Sequence, residues 1–356
     1  MHMPPPVHGA AMMGKYIHDS NLINNEFECH YINLTTAKTL NDIGKLGFYK
    51  IKSFLVLLFN VIKTIIFVRP NLVYITPNAS GIAFYKDFVV VEIVKFMGCK
   101  VVLHYHNKGI VDRQNKLFDN ILYKCFFRKV KAILLAEQLY YDVKKYLKRD
   151  NVYICPNGIP EIDQSIKETP NDFKILFLSN MMKEKGVYTL LEACKTLNER
   201  NLHFHCDFVG QWSDITEDDF YRYLDEHQLA DKVKAYGAKY GEAKTSFLKE
   251  ASLFVFPSNN EAFGLVLIEA MQHSIACIAT LEGGIPSIID DGKTGFLIET
   301  RNSLLLADKI EYLYNHPEVN EQMGKNGYNK YKVSFTLSAF EHNFTKILLE
   351  IVNNKV

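Results

Sequence analysis

The chain has 356 residues, 48% of them hydrophobic, an ordinary composition for a soluble globular protein. That length exceeds what one core usually serves, so two domains are expected. Residues 1–165 hold 21 Lys and Arg against 13 Asp and Glu, a net of +8, and the remaining 20 and 27 give −7. The basic residues are scattered, which favours a solvated face over an anionic partner, and we expect no nucleic-acid partner. The seven dispersed cysteines form no C-x-x-C pair, which argues against a zinc site and a disulfide framework and fits a reducing cytoplasm.

In the first half of the chain, strand patterns and helix patterns alternate. Short β-branched or apolar runs predict strands at 29–34, 72–76, 100–105, 132–136 and 152–155, and helical patterns lie between them at 45–68, 83–97 and 137–147. Strands that alternate with long helices form parallel βαβ units, so the sequence predicts a doubly wound sheet.

The most apolar stretch of the chain lies within 54–68. Lys52 precedes it and Asn60, Lys63 and Thr64 interrupt it, whereas a membrane span needs about 20 nearly uninterrupted apolar residues. We therefore predict a helix packed in the core, with a helix lying on a membrane surface as the alternative.

A proline- and glycine-containing segment at 156–160 ends the first pattern, and the polar stretch to 172 suits a domain linker. A second alternation follows, with strands predicted at 174–178, 204–209, 233–235, 253–256 and 276–279 and helices at 187–200, 216–227, 242–250 and 265–272. A last helix is expected at about 337–352. The prediction is two Rossmann-like domains, at 1–165 and 166–356.

The strongest chemical cluster is the segment 259–270, Asn-Asn-Glu-Ala-Phe-Gly-Leu-Val-Leu-Ile-Glu-Ala, where a strand leads through a polar loop into a helix. Backbone N–H groups at a helix start favour an anion, and Gly264 permits its close approach. Glu261 lies beside that position. The alternative interpretation is that its carboxylate only complements the positive N-terminal end of the helix dipole. Glu269 falls on an almost wholly apolar helix, so its carboxylate needs hydrogen-bond partners, either ligand hydroxyls or backbone amides.

Two other turns follow predicted strands. Lys185 and Gly186 lie in a strand-to-helix turn, where an ammonium can meet a phosphate, although such a turn alone is usually a solvated end. Gly283 and Gly284 permit a tight turn or a close backbone approach, and alone they suit a plain turn.

The first half carries two candidate segments. Residues 4–10, Pro-Pro-Pro-Val-His-Gly-Ala, form a proline-stiffened glycine loop ahead of a helix. His104 and His106 lie two positions apart at a strand end, so they share one face, and strand ends of open α/β sheets line ligand crevices.

Together these segments resemble the retaining glycosyltransferases of family four, whose GT-B fold has two Rossmann-like domains facing across a cleft. The most specific part is the pair Glu261 and Glu269, eight positions apart, with Phe-Gly-Leu following the first. The N-terminal glycine loop, the Pro-Asn-Gly segment from 156, the Lys-Gly turn and the Gly-Gly loop appear in family order. The resemblance covers nearly the whole chain.

The resemblance implies a role for each matching residue. Glu269 would bind the donor ribose, Glu261 would hold hydroxyls of the transferred sugar, and Lys185 with the helix start at Gly264 would hold the diphosphate. Gly9 would let the diphosphate pass, and His106 matches the active-site histidine. The implied catalytic residues are His106, Glu261 and Lys185, and the implied donor-binding residues are Gly9, Asn180, Lys185, Glu261, Phe263, Gly264, Leu265 and Glu269.

The implied activity is transfer of a sugar from a UDP- or GDP-sugar to a lipid-linked or polysaccharide precursor, with retention of configuration. The sequence has no D-x-D pair and no His/Cys ligand spacing, so we expect no metal or other cofactor, and the dispersed cysteines favour a cytoplasmic enzyme. The +8 first half and its Lys-flanked apolar helix lead us to expect an anionic acceptor, with peripheral association at the inner face of the cell membrane as an option. The terminal helix 337–352 would cross back to the first domain.

Two departures from the family pattern keep alternatives open. Ser179 and Asn180 stand where the family often has Gly-Arg, and Ser287 stands where a Glu often follows Gly-Gly-Ile-Pro. A nucleotide-sugar epimerase of the same fold and a catalytically weak binding subunit are the alternatives. A nicotinamide dehydrogenase would need a G-x-G-x-x-G turn, which the sequence lacks.

The start of the chain carries one further expectation. A glycine loop of this type follows a strand, but only the short segment 1–7 precedes His8 and Gly9, and three of its seven residues are proline. We therefore expect the first strand of the first sheet to be missing, and an apolar strand to be encoded upstream of Met1.

Overall fold

A computed structural model of the chain describes residues 1–5, 9–35, 48–162 and 172–353. The chain divides into two compact units, one formed by Met1–Gly158 with Leu337–Val356 and the other by Ile159–Thr336. Each unit contains a parallel β-sheet with helices packed on it. The last helix therefore belongs to the first unit, although it follows the second unit in sequence.

The first unit has four strands among its described residues, arranged in the order β1-β2-β3-β4 and all parallel. They are β1 (Val73–Ile75), β2 (Val101–Tyr105), β3 (Val130–Leu134) and β4 (Val152–Ile154). Every side chain of β2 is buried, because helices cover both faces of a parallel sheet.

The helices of the first unit are α1 (Gly9–Asp19), α2 (Asn21–Glu26), α3 (Phe48–Val68), α4 (Gly81–Phe96), α5 (Ile110–Arg113), α6 (Leu117–Phe126), α7 (Tyr140–Val143) and α15 (Leu337–Asn353). Buried side chains of α1 and α15 meet the sheet in one cluster, which includes Met13, Ile17, Val102, Phe344 and Ile351. This cluster fixes α15 to the first unit.

Two predicted elements of this unit differ from the structure. Residues 29–34 form no strand, because their backbone pairs only briefly with the chain start: Leu34 N donates to Met1 O at 2.9 Å, and the Met1 amine donates to Ile32 O at 3.1 Å. The helix predicted at 137–147 is confirmed only over residues 137–143, as a 3-10 turn followed by α7, and the Asp142 carboxylate of α7 accepts hydrogen bonds from Gly109 N and Val111 N near the start of α5. Residues 45–47 of another predicted helix lie outside the described residues.

The described chain start, residues 1–5, contains no strand. His2 N donates to the hydroxyl of Thr76, directly after β1, at 2.9 Å, and the Met1 side chain is buried. Whether an apolar strand is encoded upstream concerns residues before Met1, and it stays a prediction.

α3 was predicted to pack in the core, and most of it does not. Leu57, Val61 and Ile65 face the unit and are buried, but only 17% of the window Ile51–Val68 is buried. By length and composition alone, this one described helix is apolar enough to cross a membrane. Its burial is confined to one stripe, because only one side of the helix contacts the rest of the unit.

The second unit has a six-stranded parallel sheet in the order β10-β9-β8-β5-β6-β7 among its described residues. The strands are β5 (Lys174–Leu178), β6 (His205–Val209), β7 (Val233–Ala235), β8 (Leu253–Phe256), β9 (Ala276–Thr280) and β10 (Gly295–Ile298). The helices are α8 (Val187–Glu199), α9 (Glu217–Glu226), α10 (Glu242–Glu250), α11 (Leu265–Gln272), α12 (Ile285–Ile288), α13 (Ser303–Asn315) and α14 (Pro317–Ser334). β8 and β9 are buried along their whole lengths, as their uninterrupted apolar sequences require.

The sequence analysis did not predict β10 or the helices α12, α13 and α14. α14 is mostly polar and holds its place through close packing at small residues rather than through an apolar stripe. A Cβ atom on Gly324 would lie 2.1 Å from the backbone oxygen of Ser274, so only glycine permits this approach. The buried Gln272 amide also donates to the Tyr331 hydroxyl of α14 at 2.7 Å.

Candidate functional site

In the second unit, the loops that follow β5, β8 and β9 meet at the end of the sheet where these strands have their carboxyl ends. These strands are neighbours in the sheet, and all three are parallel, so their carboxyl ends lie together. Ligands of open α/β sheets bind at the carboxyl ends of the strands. The Lys185 turn, the Glu261 loop and the Gly283 loop are therefore brought to one place.

The Lys185 turn packs tightly on the loop after β8. Gly186 has φ of +79°, and a Cβ atom there would lie 2.0 Å from the backbone oxygen of Pro257. Asn259 N donates to Glu184 O at 2.8 Å, and the buried Ser258 hydroxyl donates to the same oxygen at 3.3 Å. Gly186 is therefore required both for its backbone conformation and for the space it leaves.

Lys185 and Glu261 form an ion pair. Lys185 Nζ lies 2.9 Å from Glu261 Oε2 and also donates to the backbone oxygen of Asn260 at 3.3 Å. Both side chains are largely buried, so water screens the pair less than it would screen a surface pair. The pair links two loops that are 76 positions apart.

The other oxygen of Glu261 faces backbone donors just before α11. Glu261 Oε1 accepts from Ala262 N at 2.9 Å and from Phe263 N at 3.2 Å. Gly264 follows with φ of +96° and caps the start of α11. The Glu261 carboxylate thus accepts hydrogen bonds from N–H groups at a helix start, which commonly bind anions. The ammonium of Lys185 lies beside it.

The loop after β9 closes against the same residues. Gly283 has φ of +53°, and a Cβ atom there would lie 1.9 Å from the backbone oxygen of Glu261. Gly284 N donates to Ala262 O at 2.9 Å. The Gly-Gly pair therefore serves a close backbone approach, one of the two roles that its sequence left open.

Glu269 projects from α11 toward α10. Its Oε1 lies 2.7 Å from Lys244 Nζ, whereas Oε2 is buried and has no hydrogen-bond partner among the described residues. An unpaired buried carboxylate oxygen is costly, so Oε2 is a ready acceptor for a ligand hydroxyl.

Lys244 was missed by the sequence analysis, although a signal was present. It lies in the first turn of α10, where the helix dipole disfavours a cation. A lysine at that position is stabilised by a nearby carboxylate, which Glu269 supplies from another helix.

Three other predicted donor-binding residues take different positions. The side chain of Phe263 is buried and packs against Phe335, with ring centroids 6.3 Å apart, so only its backbone N–H faces Glu261. Leu265 is half-buried in the first turn of α11. Asn180 is exposed in the turn after β5, and its backbone oxygen accepts from Met182 N at 2.8 Å.

The predicted residues of the first unit lie at two other places. His106 follows β2, and its ring centroid lies 4.2 Å from that of His104. His104 is fully buried, with Nδ1 2.8 Å from the Tyr74 hydroxyl; burial, and next the neighbouring His106, lower its pKa well below the ordinary value. Gly9 begins α1 and is exposed, and residues 6–8 of its predicted loop lie outside the described residues.

The fold defines the second unit as a Rossmann-like domain in which the loops after β5, β8 and β9 lie together at the carboxyl ends of the strands. Residues 158–330, just under half of the chain, match the family model described as "Glycosyl transferases group 1". With its first unit, the chain has the GT-B type of fold, built from two Rossmann-like domains, as the sequence predicted.

The curated relatives align with only part of the chain. A D-inositol 3-phosphate glycosyltransferase of Paenarthrobacter aurescens is 29% identical over 158 residues, covering 44% of this chain and 39% of the relative. The capsular polysaccharide biosynthesis glycosyltransferase CapM of Staphylococcus aureus is 27% identical over 177 residues, covering 49% and 46%. The aligned parts thus amount to about half the length of these relatives or less.

Solved structures resemble the chain over most of its length. Anabaena Alr3699/HepE in complex with UDP has a TM-score of 0.70 at 16% identity, covering 83% of this chain and 82% of that one. Sucrose-phosphate synthase of Thermosynechococcus elongatus has a TM-score of 0.71 at 18% identity, covering 91% and 83%. At these identities the likeness establishes the fold.

Proposed function

We propose that the protein is a glycosyltransferase that moves a sugar from a nucleotide-sugar donor to an acceptor, with retention of configuration. One observation carries the proposal: in a glycosyl transferases group 1 domain, Lys185, Glu261 and the N–H groups before α11 converge at one strand-end site. That arrangement can hold a diphosphate and a sugar side by side.

Each residue has a distinct task in the proposed reaction. Breaking the bond between the sugar and the diphosphate leaves negative charge on the diphosphate, and Lys185 with the N–H groups of Ala262 and Phe263, which lead into α11, would stabilise it. A diphosphate bound there would compete with Glu261 for these donors, and the freed carboxylate would accept hydrogen bonds from sugar hydroxyls. Glu269 Oε2 would accept from the ribose. His106 and Gly9 are proposed to act from the first unit.

No metal or other cofactor is part of the proposed reaction. A metal ion often neutralises a leaving diphosphate, but here Lys185 and backbone N–H groups would supply the positive charge. Among the described residues, no group of three or more His, Cys, Asp or Glu side chains is placed to hold a metal ion.

The proposed acceptor is an anionic, lipid-linked or polysaccharide precursor at the cytoplasmic face of the cell membrane. The net charge of +8 over residues 1–165 supports an anionic acceptor. The exposed apolar side of α3 supports peripheral association with the membrane.

A panel of UDP-, GDP- and ADP-sugars, tested by thermal shift and by release of nucleoside diphosphate, tests the proposal. A bound donor raises the melting temperature by mass action, and turnover releases the diphosphate. Stabilisation with no turnover in the presence of acceptor extracts would instead favour a binding subunit, for which the neutral, exposed Asn180 is the motivating feature. No stabilisation by any donor would overturn both.

A further inference from the structure

Three neighbouring helices of the first unit expose a broad apolar surface. α3 packs against α4, and α4 packs against α6, so α4 lies between the other two. Each of them turns large apolar side chains to solvent. We call the exposed sides of α3, α4 and α6 the three-helix face. Soluble monomeric proteins rarely expose so large an apolar patch without a binding role.

On α3, the exposed side combines apolar and basic residues. The side chains of Leu55, Phe59 and Ile66 are 60%, 65% and 56% exposed. Lys52 and Lys63 are exposed and eleven positions apart, about three helical turns, so they lie on the same side of the helix. Lysines on an apolar helix side can extend their ammonium groups to the headgroup level of a bilayer.

α4 and α6 extend the same surface. Ile82, Val89 and Phe96 are exposed at intervals of seven residues, which places them on one stripe of α4, and Phe96 is 93% exposed. On α6, Leu117 and Phe118 are 77% and 65% exposed. Side chains of this size would be hidden from water if a bilayer covered them.

The charge of this region favours an anionic partner for the apolar surface. Residues 48–129 contain 13 Lys and Arg and 4 Asp and Glu, a net of +9. Asp87 and Asp119 have buried side chains, and Lys86 and Lys95 are largely buried as well. The surface charge is still mostly positive, because lysines of α3 and α6 and of the residue before α6 are exposed: Lys52, Lys63, Lys116 and Lys124. A basic apolar surface complements a bilayer that contains anionic headgroups.

We propose that the three-helix face docks on an anionic lipid bilayer with its helices lying in the plane of the interface. The proposal deepens the proposed function and rests on its membrane-borne acceptor. A second copy of the chain suits this face less well, because two basic surfaces would repel each other. A membrane-spanning α3 is also disfavoured, since extraction would expose Leu57, Val61 and Ile65, which are buried in the unit.

Cosedimentation of the full chain with vesicles tests this surface. Vesicles of phosphatidylcholine with phosphatidylglycerol should retain the protein at low salt, and pure phosphatidylcholine vesicles should retain much less. The double variant Phe59→Glu/Phe96→Glu should bind at least about tenfold more weakly, because both side chains would carry charge into the apolar layer. Val333→Glu is the matched control, since Val333 is 78% exposed in the second unit.

Four outcomes would overturn the proposal: no retention on anionic vesicles, equal retention on neutral vesicles, unchanged binding by the double variant, or resistance of bound protein to alkaline carbonate, which would indicate a span. A dimer that the double variant dissociates would assign the face to a second copy and also overturn it. Nucleotide-sugar stabilisation is measured on the same preparations. If vesicle binding fails while donor binding persists, the docking surface is wrong and the proposed function stands.

Discussion

Lys185 Nζ lies 2.9 Å from Glu261 Oε2, while Glu261 Oε1 accepts two backbone hydrogen bonds from the residues that lead into α11. One carboxylate therefore engages both kinds of donor that an incoming diphosphate would require. The ion pair keeps the ammonium in place before the donor binds. Under the proposed function, donor binding exchanges one anion for another rather than assembling the site from separate parts.

Replacing Lys185 by alanine should weaken nucleotide-sugar binding by about ten- to a hundredfold, because a charged hydrogen-bond partner of the diphosphate is lost. The measurement is the dissociation constant by calorimetry, with circular dichroism to confirm the fold. Lys183→Ala is the matched control, since Lys183 lies on the same turn and is exposed. Equal affinities of the wild type and Lys185→Ala would show that the diphosphate does not bind at this turn.

Lys244 and Glu269 should act as a coupled pair in donor binding. Lys244→Met leaves the Glu269 carboxylate without its ion-pair partner at 2.7 Å, so its orientation toward a ribose hydroxyl is lost. We expect each single variant, Lys244→Met and Glu269→Gln, to weaken binding of the nucleotide, and the double variant to be no weaker than the worse single variant.

The same pair also predicts a change in ligand preference. Lys244→Met should reduce the discrimination between a nucleoside diphosphate and its 2′,3′-dideoxy analogue, whereas Lys249→Met, at the other end of α10, should leave it unchanged. Simple additivity in the double variant, with discrimination intact, would show that Lys244 does not position Glu269.

Much of the second unit could be predicted from its sequence. Its buried strands, such as β8, are uninterrupted apolar runs, and glycines and polar residues mark where each run ends. The interest of Glu261 and Glu269 also followed from local features, a helix start and an apolar helix. Such features depend on neighbours in sequence, and they persist in the folded chain.

The pairings within the site could not be predicted in this way. Lys185 meets Glu261 because β5 and β8 are neighbours in the sheet, a strand order that periodicity does not encode. Lys244 and Glu269 lie on separate helices, α10 and α11, and only the folded arrangement of these helices brings the two side chains together. The sequence favoured a core position for α3 and left a surface position as the alternative, because an apolar helix has the same composition whether it lies in a core or on a surface.

Removal of divalent metals should leave activity unchanged, because the positive charge for the leaving diphosphate is proposed to come from Lys185 and backbone N–H groups. The measurement is release of nucleoside diphosphate in the presence of EDTA, compared with the same assay containing magnesium or manganese. Activity that EDTA abolishes and either metal restores would contradict a metal-independent reaction.

The stability of the protein should fall as the pH is lowered below about 6.5, because burial holds the pKa of His104 well below its ordinary value. The unfolded chain then binds a proton that the folded chain excludes, so stability present above that pH is lost as the pH falls toward the folded pKa. One such group contributes a slope of about 1.4 kcal/mol per pH unit.

His104→Phe should reduce this slope in thermal or urea unfolding between about pH 7 and pH 5, while His203→Gln, an exposed histidine in the second unit, should not. His106 and Tyr74 both contact His104. The variant His106→Gln therefore shows how much of the pH dependence of stability depends on the neighbouring imidazole. An identical pH dependence in His104→Phe and wild type would assign the slope to other groups.

Gly283→Ala should abolish most nucleotide-sugar binding while the second unit remains folded. The added Cβ atom would lie 1.9 Å from the backbone oxygen of Glu261, so the loop after β8 must move and carry Glu261 away from Lys185. Gly292→Ala is the matched control, because Gly292 also has positive φ, at +72°, but nothing lies within 4 Å of its added Cβ. Both variants therefore share the strain of an alanine at positive φ, of about 1–2 kcal/mol, and only the first also has the steric conflict. Donor affinity by calorimetry and melting temperature by circular dichroism separate these effects. If both variants lose stability equally and both retain donor affinity, the close approach of the two loops does not matter for binding.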